Sequence, residues 1–245
     1  MNDFFRALIK RGIRSLGYDL VPFPLSDSWC LSRHLSDIFE KHEINCVLDV
    51  GAHYGEYGAQ IRDLGYSGRI VSFEPIAANY NTLIKRVNRD AQWHAHHLAL
   101  GNSESDLSIN VMHDSKFSSF LHSNQFGVDM FGRRAELDRT ETTKVRRLTD
   151  MLDDCVNEIQ RPRVFLKTDT QGYDLEVIEG VRDRISDISA IQMEVPVQNI
   201  YDEAVGYLDM LHRLNDLGYE LTGLFPVSRD HELRVIELDC VFIKK

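Results

Sequence analysis

Cysteine is scarce in these 245 residues: Cys30, Cys46, Cys155 and Cys240 are the whole complement, and no two of them form a C-x-x-C pair. That spacing excludes a disulfide-built scaffold and a zinc ribbon, and it reads as the reduced thiols of a cytoplasmic protein. Long apolar runs are missing as well. None approaches the about 18 uninterrupted residues that a membrane-crossing helix needs, and Met1–Gly17 lacks the continuous apolar centre of a secretory signal. Basic charge is in the minority, with 28 Lys and Arg against 38 Asp and Glu, for a net charge of −10. A phosphate backbone demands a basic surface, so nucleic acid is not the expected partner. Prolines number only six, and a hydrophobic content of 43% excludes disorder as the main state. A chain of this length can bury a full core as one α/β domain.

The basic residues that exist are concentrated at the start. In the segment from Phe4 to Gly17, Phe5, Leu8, Ile9, Ile13 and Leu16 follow helical spacing, while Arg6, Lys10, Arg11 and Arg14 fall mostly on the other face. This predicts an amphipathic helix over residues 1–16. It suits peripheral contact with the inner face of a membrane, or docking on its own domain or on the second copy of a homodimer. Residues 1–43 are expected to form this N-terminal helical segment, with a second helix from about Trp29 to His42.

From residue 44 the character changes. Cys46–Val50 is a short apolar run closed by Gly51, as a buried parallel strand is. A helix is expected over Glu56–Leu64, a strand over Gly68–Glu74, a helix over Asn79–Asn88 and a strand over Gln92–Leu98. The alternation resumes with a helix at Thr149–Ile159 capped by Thr149, then a strand at Val164–Asp169 and a helix at Tyr173–Val181. A strand at Ile188–Val195, a helix at Asp202–Leu217 and strands at Tyr219–Phe225 and Val235–Ile243 complete it. Strand–helix alternation predicts a mostly parallel sheet with helices on both faces. Between these halves, residues 102–147 are rich in Ser, Asp, His and Arg and read as an insertion of irregular strands and loops.

The chemistry gathers at strand ends. Asp49-Val-Gly51-Ala52-His53-Tyr-Gly55 closes one strand and opens a helix, the place where an open α/β sheet binds ligands. Its glycine spacing is not G-x-G-x-x-G, which disfavours an NAD-linked oxidoreductase. Glu74 ends the next strand, 23 residues after Gly51, where an acid can accept both hydroxyls of a ribose. Asp49 would repel a pyrophosphate and suit a cationic tail, which favours S-adenosyl-L-methionine. The loop holding Leu100 would line the adenine.

Four segments, VLDVGAHYGEYG, VSFEPIAANYNTL, HHLALGN and FLKTDTQGYDLEVIEG, together resemble the FkbM family of S-adenosylmethionine-dependent methyltransferases. The resemblance runs from about residue 45 to the end. Departures are His53, where the family usually has Asn, and Gln171 with Asp174, where it often has Glu. The resemblance implies a class I methyltransferase (Rossmann-like) fold, with a seven-stranded sheet and a final antiparallel strand. It also implies O-methylation of a sugar, glycan or related metabolite. The alternatives are a polyketide-type small molecule as acceptor, or a cofactor-binding interaction protein without catalysis.

Methyl transfer to a hydroxyl needs a base or a metal beside the methyl group. Lys167 and Asp169 alternate on one strand and point to one side. Asp169, Asp174 and Glu194 are expected to converge there, either holding Mg²⁺ as three carboxylate ligands or with one of them acting as direct base. His94 and His96 read as edge-strand residues. His113 and His231 are the weaker base candidates.

Overall fold

The computed structural model describes residue 13 and residues 26–245. The amphipathic segment 1–16, with the membrane and homodimer expectations placed on it, therefore lies outside the described residues, apart from residue 13. The first described helix, α1 (Ser26–Lys41), leads into β1 (Cys46–Val50), α2 (Glu56–Asp63), β2 (Arg69–Phe73), α3 (Ala77–Val87) and β3 (Trp93–His96). The second half runs through α5 (Leu148–Val156), β7 (Val164–Thr168), α6 (Asp174–Glu179), β8 (Ile188–Pro196) and α7 (Tyr207–Asp216). It ends with β9 (Tyr219–Arg229) and β10 (Val235–Lys244).

These strands form one seven-stranded sheet in the order β3-β2-β1-β7-β8-β10-β9. It is parallel except at β10, which runs antiparallel to both neighbours. Every residue of β1 and of β7 is buried, because helices cover both faces. Two apolar clusters result. One holds Leu48, Leu152, Leu166, Ile191 and Phe242, and the other Leu35, Val47, Ile61, Leu83 and Phe165. Each such side chain contributes about 1.5–3 kcal/mol of burial. Adjacent strands reverse their order between β1 and β7, so a crevice opens at their C-terminal ends.

Several sequence expectations are corrected. The insertion is regular rather than irregular. β5 (Ser105–Met112) and β6 (Leu137–Arg146) form an antiparallel ladder, and β4 (Ala99–Leu100) joins it to make a second, three-stranded sheet. β6 reads LDRTETTKVR, and only Thr143 and Val145 of it are buried. A strand whose other residues all meet solvent carries almost no hydrophobic alternation. Helix α4 (Gln125–Phe131) interrupts the two strands. Thr149 does not cap α5: that position belongs to Arg147, and the Thr149 N–H donates to Gly180 O at 3.0 Å. Helix α7 begins at Tyr207 rather than Asp202, because the chain first turns through Glu203 at φ 64°. Among the described residues no helix is long and apolar enough to cross a membrane.

Candidate active site

A cavity of about 390 Å³ occupies the crevice between β1 and β7. Gly51, Ala52, His53, Glu74, Leu100, Lys167, Asp169 and Glu194, all named from the sequence, line it. Asp49, Gly55 and Asp174 do not line it, and each has a different role.

Glu74 is 3% exposed. One of its oxygens accepts from His53 N–H at 2.7 Å, and the other from Ile76 N–H at 2.9 Å and Asn79 Nδ2 at 3.2 Å. Burial pushes its carboxyl up to about 7, although these three donors pull it back. Apolar Ile76, Ala99 and Leu100 form the adjoining wall. A buried carboxylate beside apolar walls offers what a nucleoside could use, an acceptor for hydroxyls and an apolar surface for a base.

The glycines of the loop have reasons other than ligand clearance. Gly51 has φ 76°, and a Cβ there would overlap the carbonyl oxygen of Asp169. Gly51 is thus needed because β1 and β7 approach each other. A Cβ on Gly55 would meet Leu83 at 2.7 Å, and one on Gly58 would overlap the Trp93 ring.

Asp49 is fully buried behind the loop. It faces Lys167 Nζ at 3.2 Å and accepts from Ser72 Oγ at 3.1 Å. Ser72 Oγ in turn accepts from Trp93 Nε1 at 3.0 Å. The charge of Asp49 is spent on Lys167, so the expectation that it draws a cationic tail is corrected. Lys167 Nζ also lies 3.5 Å from Asp169 Oδ2 and donates to Gly51 O at 3.3 Å. Burial opposes its charge, but Asp49 and Asp169 more than compensate and hold it above the ordinary lysine range. Lys167 is therefore a structural cation that ties strand β1 to the end of β7.

The three carboxylates do not all converge. Asp169 and Glu194 meet, bridged by one amide: Gln171 Nε2 donates to Asp169 Oδ1 at 2.9 Å and to Glu194 Oε1 at 3.0 Å. Burial first, and then the Asp169 charge, raise Glu194 well above the usual carboxylate range. Asp174 is 2% exposed and turns away, accepting from Thr170 N–H at 3.3 Å. The Mg²⁺ expectation is corrected accordingly. A hydrogen-bond donor lies between Asp169 and Glu194 where the cation would sit, and among the described residues no group of three His, Cys, Asp or Glu could hold a metal.

Sequence reasoning missed Glu237. It lies on β10, is 7% exposed, lines the cavity and accepts from Ser228 Oγ at 2.7 Å. An acid inside the apolar run Val235–Ile243 was the available signal. The histidine bases are not brought in. His113 lies 3.6 Å from Asp138, and neither it nor His231 lines the cavity. His96 stacks on Phe73 beside the sheet edge.

The insertion roofs the cavity with Phe117, Phe120 and Phe131. Ser115 Oγ lies 2.8 Å from His53 Nε2, and Ser119 Oγ donates to Gln171 O at 2.7 Å. The His53 ring nitrogen on its other side faces Glu56 at 3.2 Å.

Residues 49–221 match the model of the methyltransferase FkbM domain. The chain belongs to this family, whose members are S-adenosylmethionine-dependent methyltransferases. The fold is that of class I methyltransferases. It is similar to the crystal structure of a methyltransferase FkbM from Methylobacillus flagellatus, with 18% identity and a TM-score of 0.51, covering 82% of this chain and 43% of that one. This chain thus spans less than half the length of that relative. A second similar structure is Aeropyrum pernix fibrillarin in complex with S-adenosyl-L-methionine, with 11% identity, a TM-score of 0.46 and coverage of 81% and 66%. A third is an rRNA methylase from Streptococcus thermophilus, with 13% identity, a TM-score of 0.45 and coverage of 86% and 94%. No curated protein matches the sequence.

Two outcomes follow from the buried acids. With Glu74 as the ribose acceptor, S-adenosylmethionine affinity should weaken as pH falls below about 7 and its carboxyl takes up a proton. Glu74→Ala should weaken it at least about tenfold above pH 7, where Glu74 is ionised, since a hydrogen bond to a charged group is worth about 1.5–3 kcal/mol, and the gap should narrow as pH falls. Titration calorimetry across pH 6–8.5 reads both, and an affinity untouched by the substitution removes Glu74 from the cofactor site. Stability without cofactor should run the opposite way. Glu74 is raised to about 7, and Asp174 and Asp239 to about 6. Their folded-state values exceed the unfolded ones, so the folded chain binds more protons and loses stability as pH rises from about 5.5 to 8. A melting temperature that climbs over that interval contradicts this account.

Proposed function

We propose that the chain transfers a methyl group to a hydroxyl oxygen of a sugar, glycan or related hydroxylated small molecule. The observation that carries the reading is the Asp169–Glu194 pair, set at the C-terminal ends of β7 and β8 on the wall of the cavity and covered by an aromatic roof. S-adenosylmethionine, when bound, supplies an electrophilic methyl on a positively charged sulfur. Glu74 would hold the ribose, and Ile76, Ala99 and Leu100 the adenine. Asp169 and Glu194 would accept the hydroxyl proton. Glu194 has the higher proton affinity of an acid raised by burial, and a base tuned toward working pH is the more effective one. Phe117, Phe120 and Phe131 would exclude water while the acceptor oxygen is aligned with the methyl. The acidic wall disfavours phosphorylated acceptors, because Asp169, Glu194 and Glu237 would face a second anion at close range.

The test is turnover on a panel of neutral sugars, uronates, sugar phosphates and polyketide-type alcohols with radiolabelled methyl donor. Label in the neutral hydroxylated compounds, stable to mild base as an ether is, supports the reading. Label confined to carboxylates as esters, or to nitrogen, overturns it.

A further inference from the structure

The hydroxyl of Tyr201 has one hydrogen and two carbonyl acceptors. It lies 2.9 Å from Phe117 O in the roof and 2.8 Å from Gln171 Oε1. It can serve only one of them at a time. Gln171 is caught in the same conflict. Its amide must present N–H to the two carboxylates and oxygen to Tyr201, or the reverse, and its backbone is held at φ 55°, a region that non-glycine residues seldom occupy. Its own carbonyl accepts from Ser119 of the roof. Residue 171 is thus the point where the roof and the acidic wall share hydrogen bonds.

We propose that Gln171 and Tyr201 are positioning residues forming a two-position relay between the carboxylate pair and the roof. This rests on the reading of Asp169 and Glu194 as the proton-accepting pair. In the first position the Tyr201 hydrogen points to Gln171 Oε1, the Gln171 N–H groups donate to Asp169 and Glu194, and both carboxylates are ready to accept. When the acceptor hydroxyl gives up its proton, that proton becomes the Glu194 O–H. The amide then turns over: Glu194 O–H donates to Gln171 Oε1, a Gln171 N–H donates to the Tyr201 oxygen, and the Tyr201 hydrogen passes to Phe117 O. No covalent bond of Gln171 or Tyr201 changes. The Tyr201 hydrogen has one acceptor in both positions, Asp169 gives up the amide N–H and keeps Lys167 Nζ at 3.5 Å, and the roof gains a hydrogen bond only after proton uptake. The charged and titratable groups around Glu194 are Asp169 just past the end of β7, Glu237 and Asp239 on β10, Asp174 on α6 and Tyr201, with Lys167 of β7 on the same cavity. Lys167 is the only cation among them.

The experiment needs no acceptor, so its failure is distinct from failure of the O-methylation reading. The side-chain amide resonances of Gln171 are followed by ¹⁵N–¹H NMR from pH 5 to 9 in protein saturated with S-adenosylhomocysteine, assigned by their loss in Gln171→Met. The expected result is a single titration step in the wild type that vanishes in Glu194→Gln. In Tyr201→Phe the midpoint should move by about 0.5 to 1, because the phenol bonds the amide differently in the two positions and its loss does not weaken them equally. Tyr201→Phe removes one oxygen atom, and retained S-adenosylhomocysteine affinity shows the site is intact. A Gln171 amide that does not titrate, or one whose midpoint is the same in Tyr201→Phe, overturns the relay.

Discussion

Asp169→Asn is expected to lower turnover by about 10²–10⁴-fold while leaving S-adenosylmethionine affinity within a factor of about two, the range attributed to a positioned proton acceptor. The substitution keeps the size of the side chain and the oxygen facing Gln171. It removes a charge whose other partner, Lys167, retains Asp49 at 3.2 Å, so the strand junction stays neutralised and the loss is chemical rather than structural. Asp174→Asn is the matched control. Its carboxyl faces Thr170 and does not line the cavity, so turnover should be near that of the parent. The acceptor found in the hydroxyl panel serves for both measurements. Equal turnover in parent and Asp169→Asn would move the base to Glu194 alone, and equal losses in both variants would mean that the carboxylates act through the fold.

Gly51→Ala should be the most damaging small change in the loop. A left-handed backbone costs a non-glycine residue roughly 1–2 kcal/mol, and overpacking adds about 1–3 kcal/mol. A loss of about 2–5 kcal/mol in denaturant unfolding is expected, together with loss of cofactor binding, since the methyl must displace Asp169 itself. Gly65→Ala separates the two contributions: Gly65 has φ 96° and open space around it. It should lose only the backbone part and bind cofactor normally. If the two alanine variants are equally stable, the close approach of β1 and β7 is not what fixes residue 51.

The central strands were legible because burial on both faces leaves continuous apolar runs, as in Val164–Leu166 and Ile70–Val71. The placement of Glu74 on the cavity was legible for a related reason, since it stands at a strand end 23 residues after the Gly51 turn. Asp49 was misread because sequence gives the sign of a charge but not its partner, and Lys167 lies more than a hundred positions away. The acidic wall was half read. Glu194 was visible as the lone acid on its strand, but Glu237 reaches the cavity only through the antiparallel return of β10 beside β8. The ladder of β5 and β6 was read only as irregular strands because, although Leu107, Ile109 and Val111 alternate on β5, the mostly exposed β6 lacks the period-two pattern that identifies a partner strand.

Trp93 packs edgewise into the space left by Gly55 and Gly58 and donates its indole N–H into the Ser72–Asp49–Lys167 chain. Only two tryptophans occur in the protein. The indole is therefore a built-in optical gauge of the loop. Its emission senses both the packing that places residues 51–58 and the charge balance at Asp49, so strain in this loop should be visible as a change in colour and yield before any chemistry is assayed.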